Sequence, residues 1–383
     1  MKKTRFDVVY LSVDSIQEGV GSSQITPLIL GLAENGKKIC LITFEKIKPT
    51  QELVQMFSKA GVVWVAKEFG KPGAIGGMLR LNSLRRSIPN SRVLHGRSDI
   101  ATAAAIWSRV DAPVLWDVRS LWSDQRLLIG TAGWNSLTAR GARVLENVAA
   151  KKSSAMSTLT AAVVPILEQR HKKIPEIREV IPTCVQTSKF LPSPMPGGQI
   201  TCLLSGTFNN YYDIDRTKQV LDEVKKSINL RIIWARAGES PTDRLGVGED
   251  VIISASHSEM PQLVRESHFG IAICKKDNEV SLTAAVPTKI GEFLASGRPV
   301  VVSHGIGDLD QLLQGTQTGV IIEHGQSLGA VAKQIIQLIE DPNTPMRCRE
   351  LAVQKFDMER SIQRYLGIYE RMLNRSNDIE LRA

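Results

Sequence analysis

The sequence predicts an α/β protein built from two doubly wound, Rossmann-like parallel-sheet domains, and three observations predict it. Apolar runs of strand length alternate with helical patterns from residue 6 onward, as in parallel sheets covered by helices on both faces. A second alternation of the same kind starts at ITCLLSGTF, 200–208. Between the two lies FLPSPMPGGQ, 190–199, too dense in Pro and Gly to carry helix or strand. The expected division is therefore a first domain over 1–190, a linker at 191–199, a second domain over 200–345, and a C-terminal helix within 346–383 that is free to cross back to the first. In such domains ligands bind where βα loops and helix N-termini gather at the carboxyl ends of the strands, and two of them would face a central cleft.

In the first half the apolar runs at 6–13, 38–44, 62–66, 92–96, 113–118, 155–160 and 178–182 are strand candidates. Helical patterns at 24–35, 99–109 and 136–150 fill intervals between them. The second half continues through LRIIWARA, DVIISAS, FGIAICK, RPVVVS and GVIIEH to a helix at 327–340. Beyond Pro342 the pattern stays helical to about residue 375.

Composition narrows the class. With 43% hydrophobic and 23% charged residues over 383 positions, disorder and collagen-like repeats are excluded. The longest apolar stretches, such as AAVVPIL at 161–167, fall far short of the roughly 18 residues that span a bilayer. The opening MKKTRFDVVYLSVD is interrupted by Asp7 and closed by Asp14 without a small-residue cleavage site, so it reads as a mature cytosolic start. Five widely spaced cysteines, with no CxxC pair, read as buried free thiols. Charge is divided unevenly. Residues 1–190 hold 27 basic and 15 acidic residues, net +12, whereas the rest hold 21 and 24, net −3. The first domain thus suits an anionic partner: nucleic acid, a phosphorylated substrate or an acidic membrane surface. The basic residues are scattered, with no reading helix or aromatic sheet, which argues against nucleic acid.

Four stretches carry candidate chemistry. In the first βα connection, Asp14 to Gln24, Gly19 and Gly21 permit close backbone approach to a ligand; the third glycine of a dinucleotide fingerprint is missing, and a structural turn is the alternative. In VLHGRSDIATAAAIW, His95 could move a proton and Arg97 could hold a phosphate, or the histidine could simply close a strand end. In PVLWDVRSLWSDQR, Asp117 with Arg119 and Asp124 with Arg126 offer two ion pairs, either structural or substrate-positioning, near Trp116, Trp122 and Trp134.

The sharpest signal is VSLTAAVPTKIGEFLASGRPVVVSHGIGDLDQLL, 280–313. There a strand ends in small residues and Pro287 precedes a helix. Thr288 and the amides near 286–289 can receive a diphosphate, Lys289 can neutralise it, and Glu292 stands one turn on to accept ribose hydroxyls. Ser205, Gly206 and Thr207, with Arg236, supply further donors. Asp213 and Asp215 form a DxD, read here as a helix N-cap rather than a metal site.

PTKIGEFLASGRPVV followed by GIGD resembles the nucleotide-sugar site of GT-B fold glycosyltransferases, in particular glycosyltransferase family 4, the glycosyl transferases group 1. EGVGSSQ, HGRSDIATAA, WDVRSLWSDQR and IPTCVQTSKF are similar to N-domain segments of that family, in the same order. The resemblance implies the GT-B fold and a retaining transferase moving a hexose from a UDP- or GDP-sugar, without a bound metal or other cofactor. It implies Glu292 on the ribose, Thr288, Lys289 and Arg236 on the diphosphate, and Gly19 and Gly21 near the sugar and phosphate. Arg119 stands where many members have histidine, and Ala284 where many have the first of two glutamates, leaving backbone at Ala284 to Val286 to meet the sugar. His95, Asp117, Arg119 and Lys289 are the catalytic candidates. The acceptor implied is a glycan or a polyprenyl-diphosphate-linked intermediate of envelope or exported polysaccharide, met in the cytoplasm or peripherally at the membrane. A non-catalytic GT-B subunit and a GT-B sugar-nucleotide epimerase, using His95, Asp117 and Asp124, are the alternatives.

Overall fold

Chain contacts in the computed structural model divide the protein into two units, Met1–Ile181 with Met358–Ala383, and Pro182–Asp357. Residues 5–128, 137–206, 211–236, 250–276 and 279–380 are described. Thr207, Trp134 and the Arg126 side chain, singled out by the sequence, lie outside them.

The first unit alternates strand and helix: β1 (Phe6–Leu11), α1 (Thr26–Glu34), β2 (Ile39–Glu45), α2 (Gln51–Lys59), β3 (Val63–Glu68), α3 (Gly73–Ser87), β4 (Ser91–Arg97), α4 (Ser98–Ile106) and β5 (Val114–Val118). It continues with α5 (Trp122–Leu128), α6 (Leu137–Lys152), β6 (Ala155–Thr158), α7 (Val163–His171) and β7 (Ile177–Val180). The seven strands run parallel in the order β3-β2-β1-β4-β5-β6-β7. Strand patterns follow position in the sheet. Interior β2, ICLITFE, is buried throughout, while β3 at the edge alternates and exposes Val63 and Val65. The helix expected over 24–35 opens as a π-helical turn, Gly21–Ile25, before α1 begins.

In the second unit the elements are β8 (Ile200–Ser205), α8 (Ile214–Lys225), β9 (Leu230–Arg236), β10 (Val251–Ser254), α9 (Met260–Glu266), β11 (Phe269–Ala272), α10 (Glu279–Thr283) and α11 (Thr288–Ala295). There follow β12 (Val300–Ser303), α12 (Leu309–Leu313), β13 (Gly319–Ile322), α13 (Leu328–Glu340) and α14 (Thr344–Lys355). Its six strands are parallel in the order β10-β9-β8-β11-β12-β13. Asp213 caps α8, accepting from the Arg216 amide at 2.8 Å, as the helix N-cap reading of the acidic triplet expects. The short α10 replaces part of the loop expected before Pro287, which is itself the N-cap of α11.

The Pro-rich segment read as a linker packs within the second unit. Arg298, fully buried, donates to the Ser193 and Pro194 carbonyls at 2.9 and 3.1 Å, and Arg349 to those of Thr187 and Phe190 at 3.0 and 2.8 Å. Two guanidiniums thus tie down a stretch that has no ladder of its own. The helical tail is two helices. It breaks at Phe356 and Asp357, and its long second part, α15 (Met358–Glu380), belongs to the first unit. There it crosses α1, where an added Cβ on Gly31 would lie 2.1 Å from Ile362, and reaches β7, where Arg364 donates to the Val180 carbonyl at 2.9 Å.

Candidate active site

Each sheet reverses its winding once, between β1 and β4 in the first unit and between β8 and β11 in the second. The loops that open there are where a doubly wound sheet binds ligands.

In the first unit the loop after β1 is shaped by Glu45, a buried carboxylate at the end of β2. It accepts from Ser15 Oγ at 2.6 Å, from Thr43 Oγ1 at 2.5 Å and from the Ile16 amide at 3.3 Å. Gly19 takes φ +55°, a conformation that disfavours other residues. Gly21 is also required sterically. A Cβ there would lie 1.8 Å from the Ser15 carbonyl oxygen, so glycine closes the loop on itself. From β4, buried Arg97 donates to Asp14 at 3.2 Å, linking both sides of the switch point. The next residue, Ser98, holds φ +68°, strain that the Thr102 hydroxyl offsets by donating to the Ser98 and Gly96 carbonyls.

His95, Asp117 and Arg119 meet, but not as groups open to a substrate. Asp117 is 1% exposed and His95 0%. Asp117 accepts from Arg119 Nε and Ser157 Oγ, both at 2.8 Å, and from the Tyr365 hydroxyl at 3.2 Å. His95 Nε2 lies 3.3 Å from Asp117, and its Nδ1 lies 2.7 Å from the Tyr369 hydroxyl. Burial of the imidazole lowers the His95 pKa from its ordinary value. Asp117 is held below the usual carboxylate range although burial opposes it, because Arg119 above all, with His95 and Arg97, favours the anion. The structure places the expected groups His95 and Asp117 in the interior, where they hold Arg119, whose Nη2 donates to the Tyr365 hydroxyl at 2.7 Å. Asp124 is likewise taken, by a bidentate pair with Arg170 at 2.7 and 2.9 Å.

In the second unit α11 packs flush on β11, because Gly270 leaves room for the Phe293 ring; a Cβ would meet it at 2.3 Å. The start of α11 then stands over the carboxyl end of the sheet. Pro287, its N-cap, brings no side-chain cap, and the Pro287 carbonyl accepts from the Ile290 amide at 3.0 Å. Lys289 Nζ is out of contact with solvent, 4.4 Å from the centre of the Tyr212 ring. Burial brings its pKa down to about 8. Glu292, also buried, is raised to about 7, with Lys289 pulling the other way. Gly206, at φ +85°, donates its amide to the Ala235 carbonyl and accepts from Trp234 Nε1 at 3.1 Å. The same indole carries the Arg236 guanidinium, 5.2 Å from ring centre, so Trp234 aligns two of the expected donors. Ser205 is buried at the end of β8 and Thr288 is half-buried. One expectation changes. Ala284 is buried, the Ala285 amide is spent on the Leu282 carbonyl at 2.9 Å, and the Val286 carbonyl accepts from Thr183 Oγ1 at 2.7 Å. This backbone is braced by its own protein contacts, and at Ala285 the amide is not open to a sugar.

Glu45, Tyr212, Trp234, Tyr365 and Tyr369 were not singled out in the sequence. A charged end to the otherwise apolar ICLITFE marks Glu45. Tyrosines four apart on a helix of charged residues mark Tyr365 and Tyr369.

Residues 199–341, nearly the whole sheet of the second unit and its helices, match the family described as Glycosyl transferases group 1. No curated protein matches the chain. Solved structures do. Sucrose-phosphate synthase from Thermosynechococcus elongatus superposes with TM-score 0.70 at 13% identity, covering 97% of this chain and 100% of that one. Anabaena HepE, in complex with UDP and glucose, gives 0.67 at 13%, covering 95% and 99%. WaaG, a glycosyltransferase of lipopolysaccharide biosynthesis, gives 0.67 at 12%, covering 94% and 99%. The chain therefore has the GT-B fold, two Rossmann-like parallel-sheet domains. Over residues 199–341 its second unit is similar to the glycosyl transferases of group 1.

Proposed function

We propose that the protein is a retaining glycosyltransferase that moves a hexose from a UDP- or GDP-sugar to a phosphate-bearing glycan or lipid-linked acceptor of envelope or exported polysaccharide. It works in the cytoplasm or peripherally at the membrane. The observation that carries the reading is the start of α11: a lysine and a glutamate three residues apart, at the switch point of the sheet, each with its titration displaced toward neutrality by burial. HepE, of like fold, binds UDP and glucose, which favours the same class of donor here.

On this reading Glu292 accepts the ribose hydroxyls while Lys289, Arg236 and the first-turn amides of α11 face the diphosphate. As the glycosidic bond breaks, the leaving diphosphate gathers negative charge. Fixed positive potential already aimed at it stabilises that charge, in the role a divalent cation would otherwise take. The acceptor hydroxyl enters on the face the diphosphate leaves, gives its proton to the departing phosphate, and configuration is retained. In the first unit Arg119, held by Asp117 and Tyr365, is the cation offered to the acceptor.

Calorimetry with UDP, GDP and ADP, with and without magnesium, tests the donor site. Binding of UDP or GDP in preference to ADP, independent of the metal and lost in Glu292→Gln, is the expected result. If none of the three binds, the donor reading fails. Binding of UDP or GDP without hydrolysis or transfer from any matching sugar-nucleotide makes the protein a non-catalytic GT-B subunit instead.

A further inference from the structure

Helix α3 turns its apolar side outward. Its inner stripe is Gly76, Arg80 and Leu84, and Arg80 is satisfied there by the Phe69 and Lys71 carbonyls, each at 2.9 Å, and by the Phe69 ring at 4.0 Å. Its outer stripe is Ile75, Met78 and Leu79, of which the first two are 72% and 73% exposed. A surface helix ordinarily does the reverse. Across from it, α6 exposes Val144, and both helices pack on α4. The result is a groove of 650 Å³ with Ile100 among its lining residues and with walls from Met78, Leu79, Trp107, Trp122, Val144 and Leu145.

Among the described residues of α3 and α6, the exposed charges beside it are positive. Lys71 precedes α3, Arg85 and Arg86 end it, and Arg140 and Arg143 flank Val144 on α6; all five are exposed. α3 has no acidic residue, and the one in α6, Glu146, is buried and engaged with His171 at 2.8 Å. An apolar trough between cations fits a hydrocarbon chain whose head group is an anion. A second copy of this surface would bring its own cations against these, and repulsion opposes that pairing.

We propose that the groove between α3 and α6 is a lipid-docking surface, which seats the first unit on an anionic bilayer with one hydrocarbon chain entering between the two helices. The proposal deepens the acceptor part of the function given above, and it stands or falls separately from the donor site on the other unit.

The experiment is flotation of the full chain with phosphatidylcholine vesicles and with vesicles that also contain phosphatidylglycerol, at low and high salt. The wild type is expected to float with the anionic vesicles only, and less so as salt rises. Met78→Glu/Leu79→Glu and Arg85→Glu/Arg86→Glu, on exposed positions that leave the fold intact, should each lower the bound fraction by roughly tenfold. UDP or GDP affinity should not change in either. Lipids brominated along the acyl chain should quench tryptophan fluorescence in the wild type and do so less in Trp107→Phe. Failure to float, equal binding of neutral vesicles, or equal binding by the variants overturns the proposal. So does a dimer in sedimentation that Met78→Glu/Leu79→Glu converts to monomer, which would make the groove a self-association face. Lipid binding with no nucleotide binding would leave this surface standing and sink the donor site alone.

Discussion

At the carboxyl ends of β4 and β5, beside the switch point of the first sheet, opposite charges are buried together and bound. Asp117 has Arg119, Ser157, Tyr365 and His95 around it. At the switch point of the second, Lys289 and Glu292 are brought into burial by their helix, and both titrations move toward neutrality. The contrast separates two uses of ionisable groups. In the first unit hydrogen bonds and opposite charges outweigh desolvation, so Asp117 stays ionised and acts as framework. In the second, desolvation wins, and the groups hold interaction energy that a bound anion and its hydroxyls can release.

The largest test of that difference is Asp117→Asn. It leaves Arg119 buried without its anion, and about 3–5 kcal/mol of stability should be lost in urea denaturation of the first unit. Nucleotide affinity, a property of the second, should be unchanged; a joint loss would mean the two sites are not separable in this way. Acid should act on the same cluster. The Asp117 pKa is lowered from 3.8, so its contribution is full above that value and is lost as pH falls through the folded value. The His95 pKa is lowered from 6.5, so stability also falls as pH drops below 6.5, where the unfolded chain binds the proton and the folded one resists it. The first unit should therefore weaken progressively below pH 6.5 when followed by circular dichroism, and Asp117→Asn should remove the more acidic part of that loss.

Lys289→Ala comes next, with a fall in turnover of roughly tenfold or more at saturating donor. Unchanged turnover would reject its part in stabilising the leaving diphosphate. The pH dependence of nucleotide affinity then sharpens the point. Glu292, raised to about 7, is ionised only above that value, and Lys289, lowered to about 8, is charged only below it. Affinity should peak between pH 7 and 8 and fall on both sides. Glu292→Gln should flatten the acid limb and Lys289→Arg the alkaline one. A profile that is flat in the wild type contradicts the displaced titrations.

Much of this fold could be read from residue order, because parallel strands and their helices leave a periodic trace that local sequence carries. Strand runs such as VLHGR and FGIA became β4 and β11, and Pro287 did cap a helix. Contacts between distant residues leave no such trace. Nothing near His95 and Asp117 in sequence announces their partners Tyr369 and Tyr365, 274 and 248 residues away. The segment 191–199 reads as an interdomain linker because its partner Arg298, which holds Ser193, lies 105 residues on. That Thr288, Lys289 and Glu292 come together is easier to read, since they share one helix and its first turns place them.

Tyr365→Phe is the smallest change and the most discriminating for the first unit. The ring stays, 5.2 Å from that of His95, and only the hydroxyl goes, with its contacts at 2.7 Å to Arg119 and 3.2 Å to Asp117. Loss of one such hydrogen-bonding group should cost about 1 kcal/mol of stability, because Ser157 and Arg119 Nε still satisfy Asp117. Arg119, however, loses the partner that fixes its second arm. If Arg119 serves the acceptor, kcat/KM for the acceptor should fall while nucleotide Kd and donor KM hold at wild-type values. A variant that loses stability with acceptor kinetics intact would make Tyr365 a strut for α15 and nothing more, and Arg119 would join Asp117 and His95 as framework.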